Sequence, residues 1–517
     1  MKNMIIIGLL PIYLLISATL IVLLKLILKK EVIVDLIAII LGFISLVATF
    51  YTMFLTMKHG IIIYRFGGFP PPLGIVYVVD KVSAILSMLV SFSLIMAIVY
   101  SIWILLPKWR YLFYSLAFLL IAGVIGCLYT GDIFNFFVSL ELLAISSYAL
   151  TAFYRGSSKA IRAAVIYAIT GSIATSLYLL ASFLIYASYG TLNMADVALK
   201  AREPEYIVAF SGKVYGDIVL PTIVAMILIL WTMLFKSGII PNHFWLLDVY
   251  SESPTPAVAL FTSTADMIGV YGISRFFLTV FGEGISIEYF RSLLFNIALL
   301  IASVSALASA LLVVTQTNIR RLIAYSTISQ LSLAFMGVLT GVPEGISGAM
   351  LHLITNGLGD MLMLYSAGIA IISCGKDLSC LSTLRSNIIA YTAFVIGSLN
   401  LFGIFPLLPG FWSKALLTLG FLKAGLFWGI IVVLVSSGLC AAGYFKAISA
   451  IFKLKRNSFI TVSTTIPAIV LVTLMLLALT LGILITLNGY FREFVIQWGY
   501  DMIDYKRYIV ITLNLTI

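Results

Sequence analysis

The chain has 517 residues, 62% of them hydrophobic and only 10% charged, with a mean hydropathy of +1.15 and a formal net charge of +11. Such a composition cannot fold around one water-facing surface, so the chain reads as an all-α polytopic membrane protein. The positive balance has no basic soluble domain to sit on, which excludes a nucleic-acid partner.

A helix needs about 20 apolar residues to cross the hydrocarbon, and segments of that length follow one another almost end to end. Hydropathy predicts about fourteen spans. They lie near 4–28, 32–57, 81–106, 111–130, 133–153, 160–188, 215–247 (broken), 254–281, 289–315, 321–341, 345–374, 388–422 (broken), 425–450 and 461–488. The first is too long for a signal-peptide core and lacks a small-residue cleavage site, so it is expected to remain as a membrane helix. The tail "GYFREFVIQWGYDMIDYKRYIVITLNLTI" reads as an interfacial segment or partner contact rather than another span.

Cations gather in alternate loops: Lys29 and Lys30, Lys108 and Arg110, Arg155, Lys159 and Arg162, Arg320 and Arg321, Lys376 and Arg385, and Lys453, Lys455 and Arg456. The opposite loops hold Asp196, Glu203, Glu205, Asp217, Glu283, Glu288 and Glu344. The positive-inside rule then places both termini outside a prokaryotic plasma membrane. Cys127, Cys374, Cys380 and Cys440 are too scattered for a cluster, and Cys374 and Cys380 have the wrong spacing for one or for zinc, so all four read as small buried side chains. No Rossmann or P-loop pattern occurs in a strand-to-helix context, and no cofactor is expected in this chain.

An ionisable group inside a span costs a few kcal/mol or more, so it tends to face the protein interior or a wet path. Three stand out. Glu141 lies in "DIFNFFVSLELLAISSYAL", Lys236 in "ILILWTMLFKSGIIPNHFWLL" and Lys414 in "GIFPLLPGFWSKALL". Each also has a plain reading as a buried pair or a snorkelling side chain. The seventh and twelfth spans share a proline break, a Phe-Trp pair and a lysine: Pro241, Phe244-Trp245 and Lys236 in one, Pro409, Phe411-Trp412 and Lys414 in the other. Proline frees a helix carbonyl, and a break beside a buried charge is how transporters build a mid-membrane ion site, often twice in inverted repeats.

Three blocks of sequence carry a family resemblance. "TQTNIRRLIAYSTISQLS", "FKSGIIPNHFWLLDVYSESPTPAVAL" and "FPLLPGFWSKALL", together with the glutamate motif of the fifth span, resemble the antiporter-like subunits of respiratory complex I, Mrp-type cation/proton antiporters (D-subunit type) and membrane-bound hydrogenases. The run extends from about residue 110 to 425 in the family's order. The resemblance implies helices 1–3 over residues 1–110, inverted five-helix repeats over 111–281 and 289–450, and a last helix and tail over 451–517. It also implies proton movement along a central row of ionisable residues and water. Glu141, Lys236, His243, His352 and Lys414 match family positions of that row. Two positions depart: Asn356 and Asp360 stand where a histidine and a lysine would be, and Met267 stands at a lysine position with Asp266 one residue earlier.

Asp266 and Asp360 could relay protons; Asp360, with Thr355 and Asn356 nearby in sequence, could instead contact sodium; or each could simply hydrogen-bond between helices. Three functions follow from the resemblance. The first is a proton- or sodium-translocating subunit of a redox-driven complex, such as a membrane-bound hydrogenase or complex I relative, with iron–sulfur, hydrogenase or quinone-type redox subunits as partners. The second is a subunit of a stand-alone Mrp-type sodium/proton antiporter. The third is a structural membrane subunit that has lost pumping. The long lateral helix of complex I's largest antiporter-like subunit would need about 100 further residues after the last span, where only the tail stands.

Overall fold

The computed structural model describes residues 5–28, 30–453 and 464–515. Of the loop cations, Lys29, Lys455 and Arg456 lie outside the described residues, as do residue 4 of the first expected span and residues 461–463 of the last. Twelve helices among the described residues are long and apolar enough to cross a membrane. They are α1 (Ile5–Ile27), α2 (Glu31–His59), α3 (Lys81–Ile104), α4 (Pro107–Tyr129), α5 (Ile133–Thr151), α6 (Ser158–Tyr189), α8 (Val219–Lys236), α10 (Thr255–Val280), α11 (Glu288–Thr315), α12 (Ile319–Leu339), α16 (Phe427–Phe452) and α17 (Thr465–Leu487). Between them come the short α7 (Met194–Lys200) and α9 (Phe244–Glu252), the long and more polar α13 (Pro343–Ser373), and the pair α14 (Ile388–Phe402) and α15 (Pro409–Lys423).

Burial sorts the helices into layers. Only 33% of the apolar window of α2, and the same share of α17, is covered by protein, whereas α10 is covered completely and α12 to 94%. α10 and α12 therefore form the axis of the bundle, and α2 and α17 face lipid with bulky side chains such as Phe43, Phe50, Ile469 and Leu476. Both expected breaks are present. α8 stops at Lys236 and the chain resumes helix at Phe244; α14 stops at Phe402 and helix resumes at Pro409.

Two features were not legible as spans. A hairpin of β1 (Ile62–Arg65) and β2 (Val76–Val79) joins α2 to α3, with Ile62 opposite Val79. At the same end of the bundle the tail forms α18 (Gly489–Ile503) and α19 (Tyr505–Leu513), neither long enough to cross. The tail docks on its own chain. Ser347 Oγ donates to the Ile496 carbonyl at 2.8 Å and accepts from the Gly499 N–H at 2.8 Å, and the Arg202 guanidinium lies 3.8 Å over the Tyr505 ring.

One cysteine expectation is corrected. Cys374 and Cys380 form a disulfide, with Cα atoms 5.4 Å apart, whereas Cys127 and Cys440 are free and buried. α13 ends at Ser373, and a turn through Gly375, at φ +123°, brings the chain back beside its own end. A six-residue separation excludes a cluster or zinc motif but not a bridge across a reversing turn.

Two buried ion pairs also escaped sequence reading. Asp35 on α2 accepts from Arg110 at 2.8 Å and from the Tyr114 hydroxyl at 2.7 Å. Asp80, which caps α3, pairs with Arg275 of α10. Removing one partner of such a pair strands the other charge, so Arg275→Met should lower stability by about 3–5 kcal/mol, while the double change with Asp80→Asn should recover most of it. Thermal unfolding of the purified protein in detergent checks the difference; equal losses in the single and double variants would show that the pair is not what the site depends on.

Candidate ion path

The first broken helix ends in an unpartnered charge. Lys236 is 3% exposed, and its ammonium has no hydrogen-bond or ion-pair partner among the described residues. The carboxyl groups whose charge would act on it are Glu141 of α5 and Asp266 of α10, with the Cys127 thiol of α4 also in its surroundings. Glu141 is half-buried rather than enclosed. A glycine sets the approach of α8 to α10: a Cβ on Gly269 would collide with the Met233 carbonyl oxygen, so only glycine lets the two backbones come this close. Asp132, in the turn before α5, caps that helix by accepting from the Asn135 N–H at 2.7 Å, and burial pushes its carboxyl up to about 6.

The centre of the bundle holds Asp266 and Asp360. Asp266 sits at a π-turn in α10, where its N–H reaches back to the Phe261 carbonyl, a local widening that is common at functional sites. The Tyr250 hydroxyl of α9 donates to Asp266 Oδ2 at 2.5 Å. On α12, Thr327 donates to Asp360 Oδ2 at 2.7 Å and lies against the Tyr250 hydroxyl. Gly357 brings α13 within reach of α10, since a Cβ there would stand 3.0 Å from the Ser263 backbone. Asp266 and Asp360 each follow that contact by three residues, so the close approach sets them on facing turns.

Arg320 fixes the corner from which Tyr250 projects. It is 3% exposed and donates to the Tyr250 carbonyl at 3.1 Å and to Thr255 Oγ1 at 2.6 Å, filling acceptors left at the end of α9 and the start of α10. Trp245 anchors the other end of α9 by stacking on Tyr167 of α6, with centroids 4.1 Å apart.

The second broken helix is built differently. Lys414 reaches back from α15 to donate to the Leu401 carbonyl at 2.7 Å, the Phe402 carbonyl at 3.1 Å and Ser437 Oγ at 2.8 Å. Three donors meet three acceptors, two of them carbonyls that the break at Gly403 leaves free. One residue earlier, Ser413 Oγ lies 2.9 Å from His352 Nδ1, and His352 Nε2 lies 3.0 Å from Gln330 Oε1. Gln330 also reaches the Tyr444 hydroxyl at 3.5 Å, which in turn contacts Ser326.

The site residues read from the sequence thus fall into three groups. Glu141 and Asp266 each act electrostatically on Lys236, Asp266 and Asp360 share hydroxyl-bearing neighbours, and His352 adjoins Lys414 through Ser413. His243 is apart from these: it stands half-buried at the head of α9 with its ring 6.4 Å from Tyr325. Thr355 does not serve Asp360. Its hydroxyl is directed to the His352 carbonyl and Ser413, on another face of α13, and Thr327 from a different helix stands beside the acid instead. Among the described residues, no three His, Cys, Asp or Glu side chains gather as a metal site.

Residues 130–440 match the model of the NADH:quinone oxidoreductase/Mrp antiporter transmembrane family. The chain belongs to that family. NADH-quinone oxidoreductase subunit N of Desulforudis audaxviator is 31% identical over 77% of this chain and 75% of its own length. The D-type Na(+)/H(+) antiporter subunit of Alkalihalophilus pseudofirmus is 30% identical over 71% of each. Among solved structures, a chain of the membrane-bound sulfane sulfur reductase, an archaeal respiratory membrane complex, superposes with a TM-score of 0.88 at 26% identity, covering 98% of this chain and 99% of that one. As a member of this family, the chain is a multi-pass membrane protein.

Within this family member the two broken-helix lysines differ in how their charge is met, and the difference is measurable. Lys414→Met removes the donor from three acceptors and should destabilise the protein by about 1–3 kcal/mol or more, because stranded buried acceptors are costly. Lys236→Met removes a buried charge that has no direct partner, so stability should hold or rise. Paired melting curves in detergent test this, and equal destabilisation by both changes would contradict the contrast.

Proposed function

We propose that this chain is an antiporter-like subunit that moves protons or sodium ions through the membrane part of a redox-driven complex. The observation that carries the reading is the set of polar groups kept inside the bundle, Glu141 with Lys236, Asp266 with Asp360, and His352 with Lys414, because a bilayer protein keeps such groups inside only where they are used or fully paired. Likeness along nearly the whole chain to a subunit of a respiratory reductase supports redox partners, other membrane subunits and a prokaryotic plasma membrane. In this reading fourteen spans include two inverted five-helix repeats over 111–281 and 289–450, and both termini face outward. Likeness to an Mrp-type subunit keeps the stand-alone antiporter as the second reading.

The coupling element is the Glu141–Lys236 pair. A carboxylate near an ammonium strengthens its hold on its proton, and the attraction of two unit charges at an effective dielectric of 20 falls from about 4 kcal/mol at 4 Å to about 2 at 8 Å. Small movements of α5 against α8 would therefore load or release Lys236. Having no direct partner among the described residues, the ammonium is free to respond. Lys414, pinned on three acceptors, suits the fixed end of the path.

Three measurements test this reading. Glu141→Gln and Lys236→Met should each abolish coupled ion transport in reconstituted vesicles while the complex still assembles, and the double variant should be no worse than either alone; normal pumping by both single variants would sink the assignment. A cysteine placed at 157 should be labelled only from the cytoplasmic side, and labelling from outside in intact cells would reverse the orientation. Asp360→Asn separates the roles of the central acid. Transport lost at every sodium concentration marks a proton carrier, transport recovered at high sodium marks a sodium ligand, and an unchanged curve removes Asp360 from the path.

A further inference from the structure

Resting on the reading above, the geometry points to Tyr250 and Thr327 as the proton-carrying hydroxyls that join Asp266 to Asp360, so that what crosses the middle of this subunit is a proton and not a sodium ion. Two short acids on facing helices need something between them. Here the Tyr250 hydroxyl is 2.5 Å from Asp266 Oδ2, the Thr327 hydroxyl is 2.7 Å from Asp360 Oδ2, and the two hydroxyls lie against each other.

The surroundings leave little room for another route. Asp266 and Asp360 are 2% and 0% exposed, Thr327 is fully buried, and Tyr250 is enclosed on α9 by the corner that Arg320 holds. A sodium ion needs several oxygen ligands at once. Asp266 faces the Tyr250 hydroxyl, Asp360 faces the Thr327 hydroxyl and the Asn356 amide, and Thr355, which would have added a further oxygen, is turned toward Ser413. Hydroxyls, by contrast, both donate and accept, which is what a proton relay requires and a metal site does not.

The step balances without any further reactant. Protonated Asp266 gives its proton to the Tyr250 oxygen as the Tyr250 proton passes to the Thr327 oxygen and the Thr327 proton passes to the Asp360 carboxylate. One O–H bond breaks and one forms at each hydroxyl, Asp266 is left ionised, and Asp360 is left neutral. The Tyr250 hydroxyl is then left donating to Asp266, as it does in the structure, and the Thr327 hydroxyl pointing to Tyr250; rotation of both hydroxyls toward Asp360 resets the row for the next proton. One residue from Thr327 on α12, Ser326 begins a second hydrogen-bonded row through Tyr444 and Gln330 to His352.

The test compares variants that keep shape and lose the hydroxyl, in the whole complex reconstituted into vesicles. Tyr250→Phe and Thr327→Val should each lower the coupled transport rate about a hundredfold or more, the range a positioned proton-transfer group supplies, at low and high sodium alike. Thr327→Ser should restore most of the rate lost in Thr327→Val, an effect that a packing role for the threonine methyl would not give. Melting curves and subunit composition report whether each variant folds and assembles. If Tyr250→Phe fails to assemble, the Thr327→Val and Thr327→Ser comparison decides alone. Wild-type transport by the assembled hydroxyl-free variants, or recovery of either at high sodium, would overturn the inference. Should Glu141→Gln and Lys236→Met abolish transport while these variants pump normally, the translocation reading survives and only the hydroxyl relay falls.

Discussion

Everything in this bundle answers to the cost of holding a charge away from water. A cation in hydrocarbon is tolerated where backbone or side-chain oxygens replace its hydration, and the protein offers that replacement unevenly. Lys414 has three oxygens, two of them carbonyls released by the end of α14. Lys236 has none in direct contact among the described residues, only the fields of Glu141 and Asp266. Both helices are broken near a lysine, but the lysine stands before the break in one and after it in the other, and this order decides the outcome. A side chain at the end of a helix points away from the carbonyls its own break frees, whereas one beyond the break can reach back to them.

The axis of the bundle follows from the same constraint. α10 and α12 are covered almost completely, so their polar side chains must find partners among neighbouring helices rather than in water. The π-turn before Asp266 and the glycines at 269 and 357 let α8, α10 and α13 approach closely enough for short side chains to do so. Arg320 performs the equivalent task at the corner between α9 and α10. Structural ions differ from those of the candidate path: Asp35 with Arg110, and Asp80 with Arg275, are matched pairs of opposite charge, while Asp266, Asp360, His352 and Lys414 meet hydroxyls, an amide and carbonyls.

Much of this was written plainly in the sequence, and the reasons for the gaps are physical. Span positions and both helix breaks were legible because hydropathy and proline act locally. Glu141, Lys236 and Lys414 stood out because a charge in an apolar run is rare. Tyr250, Thr327, Gln330 and Ser413 did not stand out, since neutral polar residues inside a span cost little and serve many purposes. Their partners come from other helices: Tyr250 and Asp266 are 16 residues apart, but Thr327 and Asp360 are separated by 33, and His352 and Ser413 by 61. Thr355 was placed beside Asp360 by sequence proximity alone, and helical geometry turned it to another face. Asp35 and Arg275 were overlooked for a related reason, because each lies near a span end where a charge can be read as reaching toward water.

The disulfide between Cys374 and Cys380 and the docked tail close the bundle from opposite constraints. Across the former, the Lys376 carbonyl accepts from the Ile319 N–H and the Leu378 N–H donates to the Thr317 carbonyl, so the turn after α13 is tied to the start of α12, the helix that carries Thr327 and Gln330. On the tail side, Ser347 of α13 bonds to α18, fixing the other end of the helix that carries His352, Asn356 and Asp360. α12 and α13 are therefore held together near one end and α13 is held again at the other. A row of short side chains requires such bracing, because a displacement of about one ångström is enough to separate a hydroxyl from a carboxylate, whereas a lysine at the same place could follow the movement by changing rotamer. Short acids in the middle of the candidate path have little reach, and the contacts at both ends of α13 supply the rigidity they need.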